Sequence, residues 1–206
     1  DGHIVTKWAH YPDIYEAHFS RFRGTQVRFL EIGVFKGGSL DIWRKFFGPK
    51  ATIFGIDIDP ACAQFDGQSG SVRIGSQADE EFLRRVIDEM GGVDVVLDDG
   101  SHNSRHMRKT LSILFPLLSE GGVYMIEDLH CAYLPRFGGG LRWPWSFMSD
   151  MKAIIDDMHH WYHGSRQRHP DLVSHLQAMH CYDSVVVFDK QKQSQPISLH
   201  RPLGRQ

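Results

Sequence analysis

Two pairs of acidic residues follow two short apolar runs, each placed where a buried strand would end. The pairs are Asp98 with Asp99, after residues 93–97, and Glu127 with Asp128, after residues 122–126. If the two runs are neighbouring strands, their ends lie about 5 Å apart and the carboxylates crowd one small volume. Such crowding is unfavourable unless protons or a cation relieve it, and oxygen ligands suit a hard ion such as Mg²⁺. If only one pair were present, the preferred interpretation would be that one acid caps the following helix and the other is solvated. The presence of two such pairs favours a metal site.

A glycine-rich turn at residues 30–39, with the sequence LEIGVFKGGS, is the second feature that could bind a ligand. It stands where an open α/β sheet binds its ligand, and its glycines allow close approach of the backbone. Its GxxxGG spacing differs from the GxGxxG of dinucleotide-binding proteins and disfavours NAD. Asp57 ends the next apolar run, where its carboxylate could accept hydrogen bonds from both hydroxyls of a ribose. Together these features favour a nucleoside ligand, although each alone is equally compatible with a tight turn and a surface acid.

The elements that would carry these residues alternate between strands and helices. Strands are predicted from short apolar runs, and helices from apolar residues at three- and four-residue steps. The predicted strands cover residues 27–32, 52–57, 71–74, 93–97 and 122–126, and the predicted helices cover approximately residues 11–22, 40–47, 80–90 and 107–118. Asp79 is expected to cap the third helix. This alternation is typical of a parallel sheet with helices on both faces.

The C-terminal part of the chain departs from this alternation. Residues 130–144 contain three consecutive glycines and two prolines, a composition that predicts an irregular loop over the site. A helix is predicted from about Trp145 to Tyr162. The runs 176–182 and 184–188 are separated so briefly that they should form a hairpin.

Length and charge limit the class of protein. The 206 residues predict one domain over residues 1–206, with an N-terminal helical cap in residues 1–24 and a substrate loop in residues 130–144. The formal net charge of -2 gives no basic footprint for nucleic acid or a membrane surface. No apolar run approaches the ~20 residues needed to span a bilayer, and the N-terminus lacks a signal-peptide layout. We therefore expect a soluble, cytoplasmic protein with a small-molecule substrate and reduced cysteines, and leave a homo-oligomer open.

The glycine turn, the segment GIDID at residues 55–59 and the dipeptide Ser76-Gln77 resemble the cofactor site of class I S-adenosylmethionine methyltransferases. The resemblance covers nearly the whole chain. It implies an α/β fold with a Rossmann-like, seven-stranded, mostly parallel sheet and a C-terminal antiparallel hairpin. It also implies S-adenosylmethionine as the cofactor. The residues that it places at the cofactor are Gly33 and Gly37 under the methionine moiety, Asp57 on the ribose, Gln77 near the adenine, and Glu31, Ser39, Ser76 and Asp98 nearby.

The two acidic motifs, DDGSH at residues 98–102 and EDLH at residues 127–130, are similar to those of a narrower family. These are the metal-dependent macrolide sugar O-methyltransferases of the mycinamicin type, in which three carboxylates hold Mg²⁺ and a histidine acts as the base. The resemblance carries these roles over to Asp99, Glu127 and Asp128 as metal ligands, and to His102, with Asp99, as catalytic residues. It implies a Mg²⁺-dependent methyltransferase.

Other residues near these motifs have two interpretations. His102 could instead cap the helix that begins near Asn103. His130 and Trp143 are expected to contact substrate, with helix packing and loop anchoring as the alternatives. The pocket could also be closed from the N-terminal helix by Lys7, Tyr11 and Tyr15, with a packing role as the alternative for the two tyrosines.

The predicted function is transfer of a methyl group from S-adenosylmethionine to a sugar hydroxyl of a glycosylated natural product such as an antibiotic. Metal coordination and a nearby imidazole would together activate a hydroxyl, which is otherwise a poor nucleophile. Methylation of a catechol or another vicinal diol is an alternative that the sequence does not separate from it. A non-catalytic S-adenosylmethionine-binding protein is a second alternative, but binding alone requires neither the paired acids nor His102.

Overall fold

The computed structural model describes residues 4–199 and contains one seven-stranded sheet with helices on both faces. The strands are β1 (Arg28–Ile32), β2 (Thr52–Asp57), β3 (Ser71–Ile74), β4 (Val93–Asp98), β5 (Leu118–Ile126), β6 (Leu176–Tyr182) and β7 (Val185–Lys190). The helices are α1 (Tyr11–Phe19), α2 (Gly38–Phe47), α3 (Glu80–Met90), α4 (Ser104–Leu117), α5 (Phe147–Met158), α6 (His160–His163) and α7 (Pro170–Val173). Short 3₁₀ turns occupy Ser20–Phe22, Pro60–Phe65, Leu129–Tyr133 and Pro135–Phe137.

The strands run in the order β3-β2-β1-β4-β5-β7-β6. The pairs among β1 to β5 are parallel, whereas β7 is antiparallel to both β5 and β6. This arrangement confirms the predicted Rossmann-like sheet with its C-terminal hairpin. The order reverses beside β1, which is the place where open α/β sheets bind their ligands.

The register of the parallel strands brings the predicted site residues to one edge of the sheet. Ile32 of β1 pairs with Ile56 of β2 and with Asp98 of β4, and Asp98 pairs with Ile126 of β5. The residues that close or follow these strands at that edge are Gly33, Asp57, Asp99 and Glu127.

Each face of the sheet has its own hydrophobic core. Leu30 of β1 packs with α3, α4 and α5, whereas its neighbour Phe29 packs on the opposite face with α1 and α2. On that second face the ring of Phe19 contacts Phe29 and Trp43, with centroids 6.2 and 5.9 Å apart. These contacts fix α1 against the sheet and so position the tyrosines that it carries.

Most boundaries agree with the sequence predictions. Strands β2 and β3 begin and end where predicted, and the Asp79 side chain caps α3 by accepting from Phe82 N. The prediction of one helix from Trp145 to Tyr162 is wrong, because the helix is interrupted at His159, between α5 and α6. The three cysteines are free, and no helix within residues 4–199 is long and apolar enough to cross a membrane.

Candidate active site

The carboxylates of Asp99 and Glu127 meet at the ends of β4 and β5 and share one cation. Backbone hydrogen bonds continue the sheet into both residues, from Asp99 N to Ile32 O at 2.9 Å and from Glu127 N to Asp98 O at 3.0 Å. The ammonium of Lys7 donates to Asp99 Oδ2 at 2.6 Å and to Glu127 Oε2 at 2.7 Å. The predicted crowding of acids is therefore present, and Lys7 relieves part of it.

Burial controls the protonation of this cluster. Burial raises the pKa of Glu127 to about 8, because Lys7 and the hydrogen bond from Tyr15 only partly oppose the loss of solvation. Burial also raises the pKa of Asp99 above its ordinary value. Burial alone would lower the pKa of Lys7, but the negative charges of Glu127 and Asp99 outweigh it and raise that pKa. Lys7 is therefore charged throughout the physiological range.

Helix α1 supplies two hydroxyl donors to the same carboxylates. The Tyr15 hydroxyl donates to Glu127 Oε1, and the Tyr11 hydroxyl donates to Asp128 Oδ1 at 2.7 Å. Both rings are almost completely buried, and burial raises the pKa of both hydroxyls, so they stay protonated as donors. The structure thus gives both tyrosines polar contacts with the site in addition to packing.

His102 lies beside the carboxylates and does not cap the following helix. Its Nε2 atom is 3.7 Å from Asp128 Oδ2 and 4.0 Å from Asp99 Oδ1. The helix cap is Asn103, whose side chain accepts from Arg105 N at 3.0 Å. The capping alternative for His102 is therefore wrong.

Two residues of the cluster have backbone conformations that are uncommon outside glycine. His102 has φ 52° and Asp128 has φ 54°. Such left-handed conformations cost of order 1–3 kcal/mol each and persist only where the surroundings impose them. Here they turn both side chains toward the shared cluster, which is the pattern expected of a functional site.

The cluster fits a divalent cation in its ligand atoms and its charge. One ligand atom from each of Asp99, His102 and Asp128 lies within 4.8 Å of the others. Glu127, whose Oε2 accepts from Lys7, lies at the same strand ends. When all are ionised, the carboxylates of Asp99, Glu127 and Asp128 with the Lys7 ammonium leave two uncompensated negative charges. Carboxylate oxygens in this number are the ligands that Mg²⁺ prefers.

The glycine turn packs directly on the acidic loop. Gly33 has φ 98°, and a Cβ atom there would lie 2.2 Å from the carbonyl oxygen of Asp99. Asp57 holds the same turn, because its Oδ2 accepts from Val34 N and Phe35 N at 2.9 Å each. The other oxygen, Oδ1, accepts from Asp59 N at 2.9 Å, and contact of the carboxylate with a ribose stays a prediction.

A cavity of about 160 Å³ lies beside the glycine turn, between the ends of β1, β2 and β4. Its lining includes Gly33, Asp57, Ser76, Gln77 and Ser101. The Gln77 side chain is engaged within the protein, since its Nε2 donates to Asp98 and Thr110 and its Oε1 accepts from Ser101 N at 2.7 Å. Gln77 therefore shapes the wall of this cavity, and its place near the adenine stays a prediction.

Three residues predicted at the cofactor lie below the surface of this cavity. Glu31 is fully buried and accepts from Ser39 Oγ at 2.6 Å and from Trp43 Nε1 at 3.0 Å. Asp98 is also buried and accepts from Tyr124 and Gln77. Burial raises the pKa of both carboxyls to about 7. Direct contact of Glu31, Ser39 and Asp98 with a cofactor stays a prediction, and the structure shows them supporting the turn and Gln77.

A second cavity of about 340 Å³ opens on the acidic cluster from the N-terminal segment. It is lined by Lys7, Trp8, Tyr11, Asp99, Glu127 and Asp128, among others. Trp8 was not identified from the sequence, because it lies in a segment without periodic pattern. Its ring is 56% exposed and meets His130 edge to face, with centroids 5.8 Å apart. An exposed aromatic face beside polar groups is suited to packing on a sugar ring.

The two ends of the loop 130–144 have different surroundings. His130 lies at the cluster, where its Nδ1 is 4.0 Å from Asp128 Oδ1 and 2.7 Å from Ser184 Oγ. Trp143 packs within the loop against Gly140 and Trp145. The ring of Phe137 meets the His102 imidazole edge to face, with centroids 6.2 Å apart, and so steadies it. Substrate contacts of His130 and Trp143 stay predictions.

Known proteins resemble the chain in both sequence and structure. A family model described as a methyltransferase domain matches residues 30–129. The 8-demethyl-8-(2-methoxy-alpha-L-rhamnosyl)-tetracenomycin-C 3'-O-methyltransferase of Streptomyces olivaceus is 35% identical over 91% of this chain and 51% of its own length. The mycinamicin VI 2''-O-methyltransferase of Micromonospora griseorubida is 36% identical over 85% of this chain and 47% of its own.

A solved structure agrees with these relatives. The MycE methyltransferase of the mycinamycin biosynthetic pathway, in complex with Mg, SAH and mycinamycin VI, superimposes with a TM-score of 0.82 at 34% identity, over 91% of this chain and 50% of that chain. The chain thus spans about half the length of the relatives it matches. It belongs to the class I methyltransferases and, over most of its length, is similar to the O-methyltransferases that act on sugars of antibiotics.

Proposed function

We propose that the chain is the catalytic part of a Mg²⁺-dependent enzyme that methylates a sugar hydroxyl of a glycosylated natural product, with S-adenosylmethionine as the methyl donor. The observation that carries this proposal is the convergence of Asp99, Glu127, Asp128 and His102 beside the glycine turn. A protein that merely binds S-adenosylmethionine needs neither the buried carboxylates nor the strained histidine.

In the proposed reaction the acceptor oxygen attacks the methyl carbon of the sulfonium group. The new C–O bond forms as the C–S bond breaks, which gives a methyl ether and S-adenosylhomocysteine. His102 Nε2 takes the hydroxyl proton, a role for which its place within 4.0 Å of Asp99 and Asp128 suits it. Since the sulfonium is already activated, the main contribution of the protein is to align the three reacting atoms.

The proposed metal ligands are Asp99, Glu127 and Asp128. A bound Mg²⁺ would polarise the acceptor hydroxyl and lower the barrier to its loss of a proton. Tyr11 and Tyr15 hold Asp128 and Glu127 through hydrogen bonds and so orient the carboxylate oxygens before any ligand binds.

The proposed acceptor site is the cavity of about 340 Å³ that opens on the cluster. Its charged residues suit hydroxyl groups, and Trp8 offers an aromatic face to the ring of a sugar. We also propose that residues 4–24, the described part of the predicted N-terminal cap, and the loop 130–144 border this site, since Lys7 and His130 both reach it. The relatives named for sugar methylation support a sugar acceptor over a catechol.

The test is methyl transfer from labelled S-adenosylmethionine to a panel of rhamnosylated and other deoxyglycosylated polyketides, alongside catechols. We expect products with the glycosides, loss of turnover in EDTA and recovery on addition of Mg²⁺. Asp99→Asn and Glu127→Gln should each lose most turnover and retain binding of S-adenosylhomocysteine. Asp88→Asn, at an exposed position of α3, is the matched control and should behave as wild type.

Three results would contradict separate parts of the proposal. Full activity in EDTA would remove the metal. Turnover of catechols with none of the glycosides would replace the acceptor class. Binding of S-adenosylhomocysteine without turnover of any acceptor would favour the non-catalytic alternative.

A further inference from the structure

A second group of metal-binding side chains lies away from the carboxylate cluster, where α1 packs on the C-terminal hairpin. It consists of His18 from α1, His180 from β6 and Asp189 from β7, and one ligand atom from each lies within 4.8 Å of the others. His180 Nε2 is 2.8 Å from Asp189 Oδ2, and the rings of His18 and His180 are 4.7 Å apart, edge to face. All three side chains are partly exposed, so an ion in solvent can reach them.

The fold itself brings these residues together. In the antiparallel pair of β6 and β7, Ala178 opposes Asp189 and His180 opposes Val187, so His180 and Asp189 project from the same face of the hairpin. Helix α1 packs against that face, because its residues share a core cluster with Val187. His18 thus reaches the hairpin from a segment more than 150 residues away in sequence.

We propose that His18, His180 and Asp189 form a binding site for a transition metal ion such as Zn²⁺, with water completing the coordination. Two imidazoles and a carboxylate are a ligand set that Zn²⁺ accepts, and its ligands lie about 3.4 Å apart in tetrahedral geometry. The side chains therefore need small rotations to close on an ion. The Tyr182 hydroxyl is 2.9 Å from His18 Nε2 and lies on the same face.

The charges around the group are compatible with a bound cation. Arg21 contributes a positive charge, but it approaches Asp189 Oδ1 at 3.7 Å and leaves Oδ2 to face His180. Burial and the neighbouring His180 lower the pKa of His18, which favours its neutral form. Neutral imidazole is the form that binds metal.

The consequence of such a site would be a clamp between α1 and the hairpin. The same helix carries Tyr11 and Tyr15, which hold Asp128 and Glu127 in the proposed active site. An ion at His18 would tie this helix to β6 and β7 and stabilise the folded state by binding to it preferentially. This inference does not depend on the proposed methyl transfer.

The test is titration of the full chain, stripped with EDTA and dialysed, with Zn²⁺ by calorimetry and by thermal denaturation, with Co²⁺ absorption to report the ligand geometry. We expect one Zn²⁺ to bind to this group and to raise Tm, in addition to any Zn²⁺ that the carboxylate cluster takes up. His18→Ala, His180→Ala and Asp189→Asn should each weaken that binding by ~10-fold or more. His163→Ala, at an exposed histidine outside the group, should leave it unchanged.

Asp99→Asn distinguishes Zn²⁺ binding at this group from binding at the carboxylate cluster. At His18, His180 and Asp189 this variant should retain the Zn²⁺ affinity of wild type. Zn²⁺ binding that is lost in Asp99→Asn but kept in His180→Ala would overturn the proposal. The absence of binding at micromolar Zn²⁺ would overturn it equally. Circular dichroism of each variant without metal shows whether the fold is intact, and Asp189→Asn, which conserves shape, remains informative if a histidine variant does not fold.

Discussion

Replacement of Lys7 by methionine removes the cation between Asp99 and Glu127. Its ammonium lies 2.6 Å from Asp99 Oδ2 and 2.7 Å from Glu127 Oε2, and the Glu127 side chain is 0% exposed. Breaking a buried ion pair by removing one partner typically costs ~3–5 kcal/mol, because the other charge stays buried without compensation. We expect the loss in Lys7→Met to approach this magnitude at pH above 8, where Glu127 of the wild-type protein is ionised and paired with Lys7.

The pH dependence of this loss has a definite sign. Burial already raises the pKa of Glu127 to about 8 with Lys7 present, and Lys7 opposes that rise. Without Lys7, the carboxyl keeps its proton to higher pH, which limits the loss near pH 6. The destabilisation by Lys7→Met should therefore grow as the pH rises from 6 to 9.

Thermal denaturation measures this loss directly. For a chain of this size ~1 kcal/mol corresponds to about 2–4 °C in Tm, so the expected decrease is roughly 6–20 °C at high pH. Lys109→Met, at an exposed position of α4, is the matched control and should change Tm little. Addition of Mg²⁺ should recover more stability in Lys7→Met than in wild type. A Tm within 2 °C of wild type at pH 9 would refute the role of Lys7 as the compensating cation.

Three further predictions concern the support of the glycine turn. The pKa of Glu31 is about 7 in the folded protein against 4.5 unfolded, so the free energy of unfolding should fall by ~3 kcal/mol as the pH rises from 4.5 to 7. Glu31→Gln should remove this part of the pH dependence when stability is measured by urea denaturation. An unchanged pH dependence would contradict the prediction. Gly33→Ala should lose more stability and more S-adenosylhomocysteine affinity than the control Gly121→Ala. Gly121 also has a positive φ, but a Cβ atom there would have no neighbour within 4 Å. Equal losses in the two variants would argue against the contact of Gly33 with Asp99. Asp57→Ala should weaken S-adenosylhomocysteine binding by at least ~10-fold in calorimetry, because two backbone N–H groups of the turn lose their acceptor. Unaltered affinity would show that the turn keeps its conformation without Asp57.

The sequence was sufficient to predict the sheet and the meeting of the two acidic motifs. Short buried runs such as Thr52–Asp57 give clear strand signals, and the carboxyl ends of neighbouring parallel strands must lie at one edge. The break at His159 was missed because the apolar residues continue at helical spacing on both sides of it. There, the hydrogen bonds from Arg168 N and His169 N to the Asp157 side chain belong to tertiary structure, which periodicity does not report.

The partners of individual polar side chains were the least predictable part of the site. Glu31, expected at the cofactor, is paired with Ser39 and Trp43 below the surface. Lys7 was noted only as a residue that could close the pocket, because it lies in a segment without regular structure and its acids are far away in sequence. Contacts of this kind depend on how α2 and the N-terminal segment pack on the sheet, which the sequence pattern does not specify.

The proposed role of His102 is to take the proton of the acceptor hydroxyl, and the turnover of His102→Ala is the measurement that tests this role. We expect kcat for methyl transfer to fall by ~10² to 10⁴, with the affinities for S-adenosylhomocysteine and Mg²⁺ nearly unchanged. Asn103→Ala, which removes the actual cap of α4, should instead lose ~1 kcal/mol of stability and little turnover. A folded His102→Ala protein that binds S-adenosylhomocysteine and turns over at the wild-type rate would contradict the account.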